Sequence, residues 1–314
     1  MKTMRIGMCV TFVCAAAGAS CSAADTGTAG SELVSHPDVP GTIFTIVFEN
    51  EDADNVISPA NPYFQKLADD YGRPRAYVSG VHPSLPNYVM MTSGTQNGVT
   101  TDSDPAYNVT IPGTDNIADQ LDAASIPWRA YMEGMGDPCK TQSDGLYSAH
   151  HDPFLYYWDM RMQPDRCAKQ IVDFDASFAA DLASNAYRFM WITPNMCNDI
   201  HNCPTQTGDA WLAKVVPQIM ASPGYKAGGA IFILFDEGST RYVASADLPV
   251  LVVSPNLVTA PYQTETAFDH RSYLATVEDI LGLPRLPATA SATSMDEFFR
   301  SKEQALDADA GARD

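Results

Sequence analysis

Basic residues are scarce in this chain: 19 Lys and Arg stand against 38 Asp and Glu, for a formal net charge of −19. Such a surface repels nucleic acid and anionic membranes at long range, which excludes nucleic-acid partners. An anionic substrate would need a local reversal of sign, and that requirement points toward a bound cation. Long apolar runs are also missing from the interior, where none reaches the length of a membrane span. No two cysteines are spaced C-x-x-C and no G-x-S-x-G elbow occurs, so two common signatures of metal and serine chemistry are absent.

What the chain does carry begins at its N-terminus. Lys2 and Arg5 flank the start of an apolar stretch, Ile6 to Ala17, followed by small residues from Gly18 to Ala24. A basic start, a short apolar core and small residues predict a secretory signal over residues 1–24, ending at Ser22-Ala23-Ala24. Lipid modification of Cys21 is the lesser alternative, because Gly18 stands where Leu is usual. Export is the expectation, to the periplasm or beyond the cell. Cys9, Cys14 and Cys21 leave with the leader; Cys139, Cys167, Cys197 and Cys203 remain. An even number in an exported chain predicts two disulfides, with Cys197–Cys203 and Cys139–Cys167 favoured among the three possible pairings.

Residues 25–40 are polar and punctuated by Gly, Ser and Pro, as in a linker. Beyond them, apolar runs (Ile43–Phe48, Ala76–Val78, Tyr187–Thr193, Ala230–Phe235, Leu248–Val253) alternate with helical patterns. Runs apolar at every position suit strands covered on both faces, as in a parallel sheet. The helical patterns are Tyr63–Tyr71, Asp115–Ala124 with Thr114 as N-cap, Ala210–Ala221 with a kink at Pro217, and His270–Leu281 closed by Gly282. The expected fold class is therefore α/β, a three-layer, mostly parallel sheet flanked by helices. Residues 130–185, aromatic and Met-rich with weak periodicity, read as an inserted cap. Residues 287–314 hold little to bury besides Phe298-Phe299 and read as a loosely held tail, leaving 41–286 as the main domain.

Polar groups collect after the strands. Ile43–Phe48 runs into Glu49-Asn50, Ala230–Phe235 into Asp236-Glu237, and Phe189–Ile192 into Thr193-Pro194-Asn195, with Asp199 and His201 close behind. Open α/β sheets bind ligands beyond the carboxyl ends of their strands. Acids gathered there repel one another unless a cation sits among them. An oxygen-rich set suits Mg²⁺, Ca²⁺ or Mn²⁺ better than Zn²⁺. A second feature is His82-Pro83-Ser84-Leu85-Pro86-Asn87-Tyr88. Its prolines restrict the backbone about Ser84, and the apolar run after Asn87 predicts a helix whose free N–H groups make a phosphate site. A serine beside a metal can act as nucleophile without a histidine base.

In order along the chain, F-x-x-x-x-E-N (Phe44 to Asn50), HPSLPNY (82–88), TSG (92–94), TPN with D-x-H (193–201), FDEG (235–238) and H-x-S-Y-L-x-T-x-E-D-I-L-G-L (270–283) resemble the bacterial and fungal phosphoesterase family. That family includes acid phosphatases and phosphatidylcholine-type phospholipases C, within the alkaline phosphatase superfamily. The resemblance implies an alkaline phosphatase-like fold and a divalent metal held by Glu49, Asn50, Asp236 and Glu237. It implies Ser84 as nucleophile and further metal ligand, and Asn87 as holder of a phosphoryl oxygen. Asn195, Asp199, His201 and His270 fall where the superfamily places its second metal. Asn stands there for the usual Asp, and Asp for a usual His, while Glu237 replaces a further His. One ion is therefore expected rather than two, with His201 or His270 left for acid chemistry. The implied substrate is a small phosphate monoester hydrolysed through a phosphoseryl intermediate by a monomer or small homo-oligomer; a phospholipase C-type or other diesterase is the alternative.

Two other readings compete. A metal-free serine hydrolase using Ser84, His270 and an acid leaves the strand-end acids without purpose. A non-catalytic metal- or lipid-binding protein leaves a complete set of ligands and nucleophile unused. His82 is expected equally as phosphate contact and as brace of the Ser84 turn. His150-His151-Asp152-Pro153 reads as an ordinary loop, with lining of the pocket the near alternative, and Phe154, Tyr156, Tyr157 and Trp158 as packing rather than a seat for an apolar leaving group or lipid.

Overall fold

A computed structural model describes residues 37–110, 112–239 and 247–301. The expected leader, Cys21, most of the linker and the last part of the tail lie outside the described residues.

Among the described residues, eight strands form one sheet: β1 (Ile43–Phe48), β2 (Gly72–Val78), β3 (Trp128–Met132), β4 (Ile171–Asp173), β5 (Phe189–Thr193), β6 (Ala230–Phe235), β7 (Leu251–Val253) and β8 (Tyr262–Asp269). Their order across the sheet is β4-β3-β5-β1-β6-β7-β2-β8. Every pairing is parallel except those of β7, which runs against both β6 and β2. The carboxyl ends of all the other strands therefore open on one edge. β1, β5 and β6 are buried at every residue, as their unbroken apolar runs require.

Side-chain alternation along β1 sorts the covering helices into two layers. Thr45 meets Tyr273 of the helix His270–Leu281, its hydroxyl 2.5 Å from the phenol. Phe48, of opposite parity, packs on Phe64 of the helix Pro62–Asp70 and Trp211 of the helix Thr205–Ala221. Trp191 pairs with Thr45 in the sheet and touches Tyr88, which puts the helix Ser84–Ser93 on the Tyr273 side. The molecule is thus the expected three-layer α/β fold. Both favoured disulfides, Cys139–Cys167 and Cys197–Cys203, are formed. No helix among the described residues is long and apolar enough to cross a membrane.

Several boundaries differ from expectation. Residues 130–185 are not wholly a cap: β3, β4 and the helix Phe174–Ser184 belong to the sheet and its cover. A strand as short as β4 carries too few residues for its period to show. Residues 287–301 are not loose, because Met295, Phe298 and Phe299 are buried and the Phe298 ring meets Tyr262 at 5.2 Å. Val39, at the end of the expected linker, is buried as well. β8 escaped detection because it is an edge strand whose alternate residues face solvent. The helix Ile117–Ala123 is capped by Asn116, not Thr114, through a bond from Asp119 N–H to the Asn116 side chain at 3.0 Å. Thr205–Ala221 continues through Pro217 and begins at Thr205 rather than Ala210.

Candidate active site

Register delivers the first two acids. Phe48 pairs with Phe235, so the next residues, Glu49 and Asp236, leave β1 and β6 side by side. Asn50 then turns the chain at φ +50°, a left-handed conformation that Asn tolerates better than most residues. In that turn its N–H donates to Asp236 Oδ1 at 3.1 Å. The helix Ser84–Ser93 brings the hydroxyl: Ser84 Oγ donates to Glu49 Oε2 at 3.0 Å. One turn on, the Tyr88 hydroxyl donates to Glu49 Oε1. Glu49 is fully buried and engaged at both oxygens.

A third acid arrives from the loop after β5. Asp199 lies inside the six-residue separation closed by Cys197–Cys203, and its carbonyl accepts from Glu49 N–H at 3.0 Å. Its Oδ2 is 3.2 Å from His151 Nδ1, which is also 3.5 Å from Glu49 Oε1. One ligand atom from each of Glu49, His151 and Asp199 falls within 4.8 Å of the others. Ile200, next to Asp199, sits at φ +71°. That conformation is strained for a β-branched residue and costs on the order of 1–3 kcal/mol. Packing holds it there: a Cβ on Gly208 would lie 2.4 Å from Ile200 Cγ2, so only glycine lets the helix approach.

Burial makes this group electrically unstable on its own. Burial first, then Asp236 and Asp199, push Glu49 well above the usual carboxylate range. Burial and the Glu237 charge raise Asp236 to about 8. Burial raises Asp199 to about 7, against the pull of the His201 N–H. His151 is depressed well below the ordinary imidazole range by burial and by His201, so it brings no positive charge. Asn50 Oδ1, Asp236 Oδ2 and His151 Nε2 are buried without a hydrogen-bond partner. Hard oxygens, mutual repulsion and unpartnered acceptors together fit a divalent cation.

The group opens into a cavity of about 670 Å³ lined by Ser84, His82, Asn50, Glu237, His201 and the Thr100–Asp102 segment among others. Glu237 faces the nucleophile turn, its Oε2 2.9 Å from His82 Nδ1 and 3.1 Å from Asn87 Nδ2. The structure thus brings together Ser84, Glu49, Asn50, Asp236, Glu237, Asn87 and Asp199, with His201 on the cavity wall.

Four expectations need correction. Asn87 cannot offer its amide to a phosphoryl oxygen as it stands, because Nδ2 already donates to Val81 O at 2.9 Å, Pro83 O at 3.2 Å and Glu237. His270 is buried with both ring nitrogens engaged: Nδ1 lies 3.2 Å from the Tyr77 hydroxyl and Nε2 2.7 Å from Asp236 O. Burial lowers it to about 4, and it stands as a brace for Asp236 rather than an acid or a base for Ser84. Asn195 turns away from the acids, its Oδ1 accepting from Cys197 and Asn198 N–H at 3.0 and 3.1 Å. The N–H groups of the Ser84–Ser93 helix are not all free, since Asp102 Oδ1 accepts from Leu85 N–H at 2.9 Å and Pro86 has none. Conversely, for His151 the lesser expectation, a place in the pocket rather than an ordinary loop, is the one that holds. Its one sequence signal was the adjacent His150-His151 pair, which nothing local links to Glu49.

A model of the phosphoesterase family matches residues 58–284. An acid phosphatase of Aspergillus fumigatus is 28% identical over 221 residues, 67% of this chain and 48% of the relative. A phosphatidylinositol-3-phosphatase of Mycobacterium tuberculosis is 23% identical over 263 residues, 82% of each. The chain spans about half the length of the Aspergillus enzyme. Among solved structures, a protein in the alkaline phosphatase superfamily from Vibrio parahaemolyticus has a TM-score of 0.57 at 12% identity, over 82% of this chain and 71% of that one. Human ectonucleotide pyrophosphatase/phosphodiesterase 5 has 0.55 at 10% identity, over 83% of this chain and 100% of that one. These likenesses are in the fold.

Proposed function

This chain belongs to the phosphoesterase family, and from that premise we propose that it is an exported, metal-dependent hydrolase of phosphate monoesters working through a phosphoseryl intermediate. The carrying observation is a buried serine hydroxyl, Ser84, bonded to Glu49 within a set of acids that cannot all ionise unaided. Glu49, Asn50, Asp236 and Ser84 would hold one divalent ion, with Glu237 beside them and Asp199 and His151 on the far side of Glu49. A cation there screens the phosphate charge and favours the serine alkoxide.

The chain's own groups then divide the work. The Ser84 proton leaves to solvent through the cavity, the Ser84 Oγ–P bond forms, and the bond from phosphorus to the leaving oxygen breaks. His201, exposed on the cavity wall, gives that oxygen its proton. Water next attacks phosphorus and returns a proton to His201, while Ser84 departs and regains a proton from solvent. Asn87 holds the Val81–Pro83 carbonyls and Glu237 in place, so the nucleophile turn stays shaped for attack. The Aspergillus and Mycobacterium relatives are phosphatases by name, which supports monoesters over diesters. Two disulfides suit an oxidising compartment. Purified protein stripped with chelator and assayed on p-nitrophenyl phosphate tests the reading: activity should vanish and return with Mg²⁺, Mn²⁺ or Ca²⁺. Full turnover in excess chelator would overturn it.

A further inference from the structure

Thr100, Thr101 and Asp102 line the cavity that contains Ser84. The Asp102 bond to Leu85 N–H, at 2.9 Å, holds a carboxylate one residue from the nucleophile. That N–H belongs to the first turn of a helix, where an incoming phosphate would otherwise find positive potential. The chain's own anion already takes it. This wall is braced: Asn108 Nδ2 donates to Thr101 O at 2.7 Å and Ser103 O at 3.3 Å, and the Tyr156 hydroxyl donates to Ser103 O at 3.0 Å. Among the described residues lining the cavity there is no Lys or Arg; the titratable ones are His82, Asp102, His201 and Glu237. An ester with negative charge on its alcohol meets repulsion at this wall, whereas an ammonium group meets a carboxylate.

We propose that Asp102 forms a subsite for a cationic leaving group, so that the site prefers phosphate esters of amino alcohols to those of neutral or acidic alcohols. This deepens, and rests on, the phosphatase reading of the same site. Phosphoethanolamine, glycerol 3-phosphate and 3-phosphoglycerate present alcohols of charge about +1, 0 and −1 near pH 7, and serve as probes. kcat/KM should fall in that order for the wild-type enzyme. Asp102→Asn keeps an oxygen to accept from Leu85 N–H and removes the charge. It should shrink the ratio between the first and last probes by roughly fivefold at low ionic strength, and about 0.5 M NaCl should do the same to the wild type. Equal turnover of the three probes, or one common factor of loss in the variant, would show a helix cap and no subsite. Failure to turn over any probe with Mg²⁺, Mn²⁺ and Ca²⁺ supplied would overturn the phosphatase reading and the subsite together.

Discussion

Tyr88 and His151 lie face to face, ring centroids 5.3 Å apart and planes 6° from parallel, and both reach Glu49 Oε1. One comes from the nucleophile helix and the other from a loop remote in sequence. Their contact fixes where the central carboxylate points. Tyr88→Phe keeps the stacking and removes one charge-assisted hydrogen bond from a buried acid. Affinity for the divalent ion should fall about 10- to 100-fold, the usual cost of losing a partner behind a ligand. Calorimetric titration with Mn²⁺ measures it, and unchanged affinity would mean that Tyr88 does not orient Glu49.

Ser84→Ala removes the only hydroxyl bonded to Glu49 Oε2 among the described residues. Turnover should drop by at least about a thousandfold. The melting temperature should stay within a few degrees, because one small group is lost from a well-packed helix. Acid-quenched wild-type protein should carry phosphate on Ser84, read by mass spectrometry of the peptide. Phosphate on another residue would reassign the nucleophile.

Removing metal should make stability fall with pH above about pH 6.5. Asp236 at about 8 and Asp199 at about 7 are both raised above the ordinary Asp value near 4. Below about pH 6.5 the buried, neutral His151 and His270 oppose this trend; above it the folded apoprotein holds more protons than the unfolded chain, and its stability falls as pH rises. With chelator present, the melting point should drop by about 4 °C between pH 6.5 and pH 8. Added Mn²⁺ should abolish the drop. A flat apoprotein profile would show that these acids do not repel as their burial implies.

The loop bearing Asp199 and His201 is closed by Cys197–Cys203 and carries the left-handed Ile200. Replacing both cysteines by alanine should cost about 2 kcal/mol from loop closure. Activity should fall further than stability, since Asp199 loses its fixed place beside His151 while the core is untouched. Equal melting points with full activity would make the bridge incidental. Denaturant melts paired with kcat measurements separate the two effects.

Much of this arrangement was legible along the chain, for identifiable reasons. Ile43–Phe48 and Ala230–Phe235 are apolar at each position because both faces are covered, and the acids follow at once because the strands end there. β8 and the Phe298 segment leave no such trace: an edge strand alternates polar residues, and two phenylalanines among small residues show no period until Phe298 meets Tyr262 and Phe299 meets Phe232. His151, Tyr88 and Asp102 were undervalued for a related reason. A side chain's role as ligand, brace or wall depends on which loop crosses the strand ends.

Order along the chain therefore settled the kinds of groups available: strands that must be buried, acids at their ends, and a proline-framed serine. Only folding decided which of them meet. Register set Glu49 beside Asp236, while packing brought His151 to Asp199 and turned His270 and Asn87 into braces. Composition is local, whereas distances of about 3 Å between residues tens of positions apart, or 186 apart for Asn50 and Asp236, arise only when the core closes.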